Sequence, residues 1–270
     1  MQIFITDLRD FVRGRAVPPS LCYKYGMRYA VLSDIHANLE AFRAVLDRIA
    51  GLRVDRIANL GDSVGYNPNP NECLEIIRSE GIVSVLGNHD AVAAGIEEPE
   101  NFNPYARHAA LWTREQLTPE NRDFLRSLPR ERQIDRLFLC HGSIHDTDRY
   151  ILYQNDVRDN FVMLAALPGR PHLLFLGHSH IQMAFSSEGR IIEQARSDRI
   201  SVYDSKLYLI NPGSVGQPRD GDPDAAFAVY DSDKGVVSFL RTEYDIPATQ
   251  DKIIRAGLPP RLAERLSVGR

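Results

Sequence analysis

Five short apolar runs each end in polar residues of the kind that bind metals, and this recurrence limits the fold more than any other feature of the chain. Tyr29–Leu32 leads into Asp34-Ile35-His36, Arg56–Leu60 into Gly61-Asp62, and Ile82–Leu86 into Gly87-Asn88-His89-Asp90. Leu137–Cys140 leads into His141-Gly142, and Leu173–Leu176 into Gly177-His178-Ser179-His180. Short apolar runs bounded by turn residues read as buried strands. Between them, Leu39, Phe42, Leu46 and Ile49 recur at helical spacing, as a covering helix requires. In open α/β sheets ligands bind just beyond the carboxyl ends of the strands. A chain built this way must therefore gather Asp, Asn and His side chains on one rim, with glycines letting the backbone turn beneath them.

The rest of the chain is consistent with one domain. Asn69-Pro70-Asn71-Glu72 opens a second helix, with Asn69 as cap and Pro70 in its first position. Residues 103–128 read as two helices broken at Thr118-Pro119, and residues 157–166 as another. Short β runs follow at 190–194, 206–210, 225–230 and 235–241, before a closing helical stretch over 248–266. Helices outside and packed mixed sheets inside are the expected result. Residues 1–26 carry no sustained period and contain Pro18-Pro19, so they read as a non-catalytic extension. Residues 27–270 read as the domain, with a helical cap-like insert at about 95–130 as the expected source of substrate selectivity.

Composition excludes several classes. A net charge of −4 disfavours a protein that grips nucleic acid through a basic face. The three cysteines, Cys22, Cys73 and Cys140, are far apart and form no CxxC, so neither a disulfide framework nor a cysteine zinc site is indicated. A reducing cytoplasm is the expected location. No apolar run approaches the ~20 residues of a membrane span, and the N-terminus lacks the pattern of a secretory signal.

Imidazole and carboxylate together suit Mn, Fe, Co, Ni or Zn better than calcium or magnesium. The groups at the five strand ends are too many for one tetrahedral ion but adequate for two that share a carboxylate. Two ions ~3.5–4 Å apart can clamp the attacking and leaving oxygens of a phosphate displacement. Taken singly, Asp-x-His or Gly-Asp is an ordinary turn. Five such motifs at five strand ends, in this order, are not.

Together these motifs resemble the calcineurin-like metallophosphoesterase superfamily, and within it the small bacterial and archaeal predicted phosphodiesterases. The resemblance covers about residues 27–245. It extends to Gly61-Asp-Ser-Val-Gly-Tyr66, the Trp112–Leu117 helix, and Asn211-Pro-Gly-Ser-Val-Gly-Gln-Pro-Arg-Asp220. It implies a four-layer α/β/β/α sandwich of two mixed sheets flanked by helices. It also implies two divalent transition-metal ions per chain. Asp34, His36 and His180 would hold the first, Asn88, His141 and His178 the second, and Asp62 would bridge them. His89 would face the phosphate and assist the leaving oxygen, while Asp90 orients its neighbours.

The implied reaction is hydrolysis of a small phosphate ester, nucleotides included, by metal-bound hydroxide. A phosphodiester is the first choice of substrate. A phosphomonoester or dinucleoside polyphosphate is the alternative, and a non-catalytic scaffold of the same fold the remote one. His108 and His145 are weaker candidates for lining the site. Tyr66 reads as loop packing, with stacking on a base or aromatic leaving group as the alternative; Arg219 reads as a brace of its loop, with phosphate binding as the alternative; and His172 reads as structural.

Overall fold

The computed structural model describes residues 26–270. The extension read over residues 1–26 thus lies, apart from Gly26, outside the described residues. Two six-stranded sheets face each other. The first has the order β3-β2-β1-β11-β12-β9, with β12 at Val236–Thr242, and the second β4-β5-β6-β10-β7-β8, with β8 at Ile191–Gln194. In the first, β1 (Arg28–Leu32), β2 (Arg56–Asn59) and β3 (Val83–Ser84) run parallel, and β11 (Ala225–Asp231) pairs antiparallel with β1. In the second, β5 (Leu137–Cys140), β6 (Leu173–Phe175) and β10 (Leu207–Pro212) are parallel, flanked by β7 (Gln182–Glu188) antiparallel to β10.

The period of two along each strand builds the layers. On β1, Tyr29 and Val31 point between the sheets, where they meet Leu137, Leu139, Leu173 and Phe175. Ala30 and Leu32 point the other way, onto α1 (Leu39–Ala50) and α2 (Pro70–Ser79), among Phe42, Val45, Leu74 and Ile77. On β5, Phe138 and Cys140 face outward onto α6 (Gln154–Ala166), against Val157, Phe161 and Leu164. Strands covered on both faces read as continuous apolar runs, which is why they stood out in the sequence. The result is the four-layer α/β/β/α sandwich, with two mixed sheets inside.

Helices α4 (Pro104–Gln116) and α5 (Pro119–Ser127) lie on either side of Thr118, whose hydroxyl caps α5. The closing stretch divides into α7 (Ile246–Arg255), α8 (Pro260–Glu264) and a 3-10 turn at Arg265–Val268. Ala106 and Ala109 of α4, Ile253, and Leu262 and Leu266 cluster around Tyr66, building a wall beside the strand ends. Among the described residues, no helix is long and apolar enough to cross a membrane.

Three strands escaped the sequence pattern: β4 (Glu131–Ile134), β7 and β9 (Arg199–Ser201). The Ile82–Leu86 run is hydrogen-bonded as a strand only at Val83–Ser84. Asn88 and His89, read from sequence as part of a turn, instead begin a short helix, α3 (Asn88–Ala93).

Candidate metal centre

The five strand-end motifs meet at one end of the sandwich. The Asp34 amide donates to Gly61 O at 3.1 Å and the His36 amide to Asp62 O at 2.9 Å, lacing the first two loops together. Asp34, His36, Asp62, His178 and His180 all have left-handed backbones, with φ of 53°, 48°, 51°, 66° and 61°. Such conformations disfavour residues with a Cβ and persist only where surrounding contacts enforce them. Here the contacts come from the Asn211–Asp220 segment. Asn211 Nδ2 donates to Gly177 O at 2.7 Å, and Ser214 Oγ donates to Asp34 O at 2.8 Å.

Two groups of ligand-type atoms result. Asp34, His36 and His180 form one, and Asp62, His141 and His178 the other, with the ligand atoms of each group within 4.8 Å of one another. Both groups draw on both sheets. Asp34, His36 and Asp62 follow β1 and β2, whereas His141, His178 and His180 follow β5 and β6. Asp62 Oδ2 lies between the groups, 3.6 Å from His36 Nε2 and 3.2 Å from His141 Nε2.

The tautomers follow from the acceptors. His36 Nδ1 faces Val64 O at 3.0 Å, His141 Nδ1 faces Leu60 O at 2.8 Å, His180 Nδ1 faces Gln217 O at 2.6 Å, and His178 Nε2 faces Asp148 O at 3.1 Å. A carbonyl only accepts, so each of these nitrogens carries its hydrogen. The opposite nitrogens then converge in pairs, His36 Nε2 to His180 Nε2 at 3.1 Å and His178 Nδ1 to His141 Nε2 at 3.2 Å. Lone pairs facing each other at this distance repel unless a cation or proton lies among them. A backbone carbonyl behind each imidazole is the usual support of a metal-ligating histidine.

Two further oxygens fit the same demand: Asp34 Oδ1 and Asn88 Oδ1 are buried without a hydrogen-bond partner. Without an ion, burial holds His36 and His180 below the ordinary histidine range and His178 at about 3. At His141 burial acts the same way, but the Asp62 carboxylate outweighs it and raises the pKa to about 10. The donor set and its unpaired lone pairs therefore fit divalent cations.

His89 occupies the first turn of α3, and its amide donates to Asp62 Oδ1 at 2.9 Å. Its ring packs against Tyr66 at 4.5 Å, Phe102 at 4.6 Å and His36 at 4.9 Å, while Nδ1 has no partner. The Asp90 carboxylate accepts from the amides of Val64 at 3.0 Å and Gly87 at 3.2 Å, joining the second and third loops. A Cβ at Gly87 would lie 2.1 Å from Asp62 Oδ1 and 2.2 Å from the Asp62 amide nitrogen. Gly87→Ala must therefore push the Asp62 loop aside. The expected cost is about 1–3 kcal/mol in denaturant unfolding of chelator-treated protein, together with loss of bound metal by elemental analysis.

A cavity of about 140 Å³ opens onto the groups, lined by residues that include Asp62, Asn88, His89, Tyr150 and Arg219. Neither His108 nor His145 lines it. His108 is exposed on α4, and His145 is 67% exposed beside Glu131 at 2.9 Å. His172 is buried 3.9 Å from Asp204 Oδ1, away from the site. Tyr66 packs the wall, as loop packing required, yet it also lines the cavity, 4.5 Å from the His36 ring. Arg219, read as a brace, contacts Gln217 within its turn but faces the cavity as well. Phe102 and Tyr150, the latter with its ring 4.0 Å from that of His178 and tilted by 36°, were missed because a lone aromatic in a loop carries no spacing signal.

A four-layer sandwich with paired histidine–carboxylate groups at its strand ends is the framework of a metal-dependent phosphoesterase. Residues 27–235 match the family model for the calcineurin-like phosphoesterase superfamily domain, and the chain belongs to that superfamily. It is a hydrolase of phosphate esters from a family that uses divalent metals. The protein MJ0912 of Methanocaldococcus jannaschii is 41% identical over 246 residues, which is 89% of this chain and 98% of that protein. The crystal structure of a metallophosphoesterase from Sphaerobacter thermophilus superposes with a TM-score of 0.79 at 38% identity, covering 91% of this chain and all of that one. The phosphodiesterase YfcE of Escherichia coli is 25% identical over 218 residues, covering 77% of this chain and 89% of YfcE.

Proposed function

We propose that this chain hydrolyses small phosphodiesters, nucleotides among them, at a centre of two divalent transition-metal ions in the cytoplasm. The position of Asp62 Oδ2 between the two ligand groups carries the reading. Asp34, His36 and His180 would hold one ion, Asn88, His141 and His178 the other, and Asp62 would join them. Bound there, the ions would supply Lewis-acid activation of water and of the phosphoryl oxygens.

The chain's own groups do the rest. The four backbone carbonyls behind the histidines fix ring orientation. His89, held by ring contacts and by its own amide, presents its imidazole to the cavity, where it can give a proton or hydrogen bond to the leaving oxygen. Among the described residues, no serine or cysteine lines the cavity, which supports direct hydrolysis without a phosphoenzyme. The diester preference draws on the likeness to YfcE. The buried free thiols Cys73 and Cys140 fit a reducing compartment.

An activity screen tests the reading. Chelator-stripped protein is given Mn, Ni, Co, Zn or Mg in turn, with bis(p-nitrophenyl) phosphate or p-nitrophenyl phosphate. The diester should be favoured in kcat/KM by about tenfold or more with at least one transition metal, a difference of about 1.4 kcal/mol in barrier. A preference for the monoester would replace diester by monoester chemistry. No turnover with any metal would remove the catalytic reading.

A further inference from the structure

One wall of the cavity is cationic, and the metal centre does not use it. Arg219 lines this wall, and its backbone amide donates to His180 O at 3.1 Å, so its turn sits directly behind a candidate ligand. The guanidinium Nη2 donates to Tyr66 Oη at 3.3 Å and to Gln217 Oε1 at 3.0 Å. Its carbon lies 5.7 Å from the centre of the Tyr66 ring. Nε is buried with no partner. The neighbouring carboxylate, Asp220, is taken up by Arg241 at 2.6 Å. Arg219 is thus fixed by neutral acceptors only, with donors left over.

A second guanidinium adds to the imbalance. Burial, and then the charge of Arg219, pull Arg265 on the closing 3-10 turn down to about 10. Two partly buried cations that repel each other are unfavourable until an anion joins them. The planar guanidinium fork matches two oxygens of one phosphoryl group. Tyr66 sets the position of that fork. Its ring rests 4.5 Å from both His36 and His89, so the guanidinium is registered to the same side chains that frame the metal groups.

We infer that Arg219, anchored by Tyr66 and Gln217, binds the non-bridging oxygens of the substrate's phosphoryl group and is a substrate-binding residue of this enzyme. The inference rests on the phosphoesterase reading of the cavity. The test uses full-length, manganese-loaded protein with inorganic phosphate as the binding probe. Arg219→Gln should weaken phosphate binding, measured by titration calorimetry, by about tenfold to a hundredfold, the loss expected for a charge-assisted hydrogen bond. The kcat/KM for bis(p-nitrophenyl) phosphate should fall by at least as much, with metal content and melting temperature unchanged. Added guanidinium ion should restore part of the turnover, which a merely structural arginine would not permit.

Tyr66→Phe keeps the ring, removes the anchoring hydroxyl, and provides an independent reading if Arg219→Gln folds poorly. It should weaken phosphate binding in the same direction by about twofold to tenfold. Unchanged phosphate affinity in the folded variants, or turnover lost only in step with metal, overturns the assignment. Arginine-dependent phosphate binding in a wild-type protein that hydrolyses nothing would refute the phosphoesterase reading instead. Turnover indifferent to Arg219 would do the reverse.

Discussion

Asp62→Ala is expected to lose both metal ions together and to reduce turnover by several orders of magnitude, toward the metal-free background. Wild-type protein purified without chelator should approach about two ions per chain by elemental analysis. The prediction follows from the placement of one oxygen atom. Among the described residues, Asp62 Oδ2 is the only carboxylate oxygen within 3.6 Å of an imidazole nitrogen from each group, at His36 and at His141. His141→Ala provides the contrast, since it touches one group and should lose the second ion preferentially. The Asp62 side chain also receives the His89 amide through Oδ1, so its removal frees the start of α3 as well. An Asp62→Ala protein with full metal content and activity would show that neither group needs it.

His89→Gln is expected to keep both ions and the native fold while losing about 10²–10⁴ in kcat, the usual worth of a positioned general acid. The separation is possible because His89 supports Asp62 through its backbone amide, which substitution leaves in place. The side chain is held instead by the rings of Tyr66, Phe102 and His36, and is free to act on charge developing at the leaving oxygen. Such an interaction is stronger in the transition state than in the ground state, so it appears in kcat. The loss should shrink for a p-nitrophenolate leaving group and grow for an alkoxide. Equal losses for both would mean positioning rather than proton donation, and metal loss matching that of Asp62→Ala would make His89 a support of the ions.

The sequence made the fold legible where burial is two-sided. The strands β5 and β6, and β1 after Arg28, are apolar throughout because one face meets the other sheet and the other face meets helices. By contrast β7, Gln-Met-Ala-Phe-Ser-Ser-Glu, has only Ala184 and Ser187 buried, and β9 only Ile200, so neither produces a pattern. The metal-type residues were legible because they cluster at strand ends with glycines between them. The cavity wall was not. Phe102, Tyr150 and Arg219 reach the cavity from loops, and Tyr66 from a residue at a φ of 57°. Where such side chains point depends on turns that no residue spacing encodes. Arg219 illustrates the difficulty, since its Gly-Gln-Pro-Arg-Asp turn accounts for its bond to Gln217 but gives no sign of its approach to Tyr66.

Each ligand group draws on both sheets, and His36 and His180, within one group, stand 144 residues apart in the chain. An ion held by both would act as a covalent cross-link does, tying two layers whose facing strands meet mainly through apolar contact. Closing a loop of that size takes on the order of 4–5 kcal/mol from the freedom of the unfolded chain when a disulfide does it. A coordination bond made of imidazole and carboxylate would do so without sulfur, and would therefore survive in a compartment where thiols stay reduced.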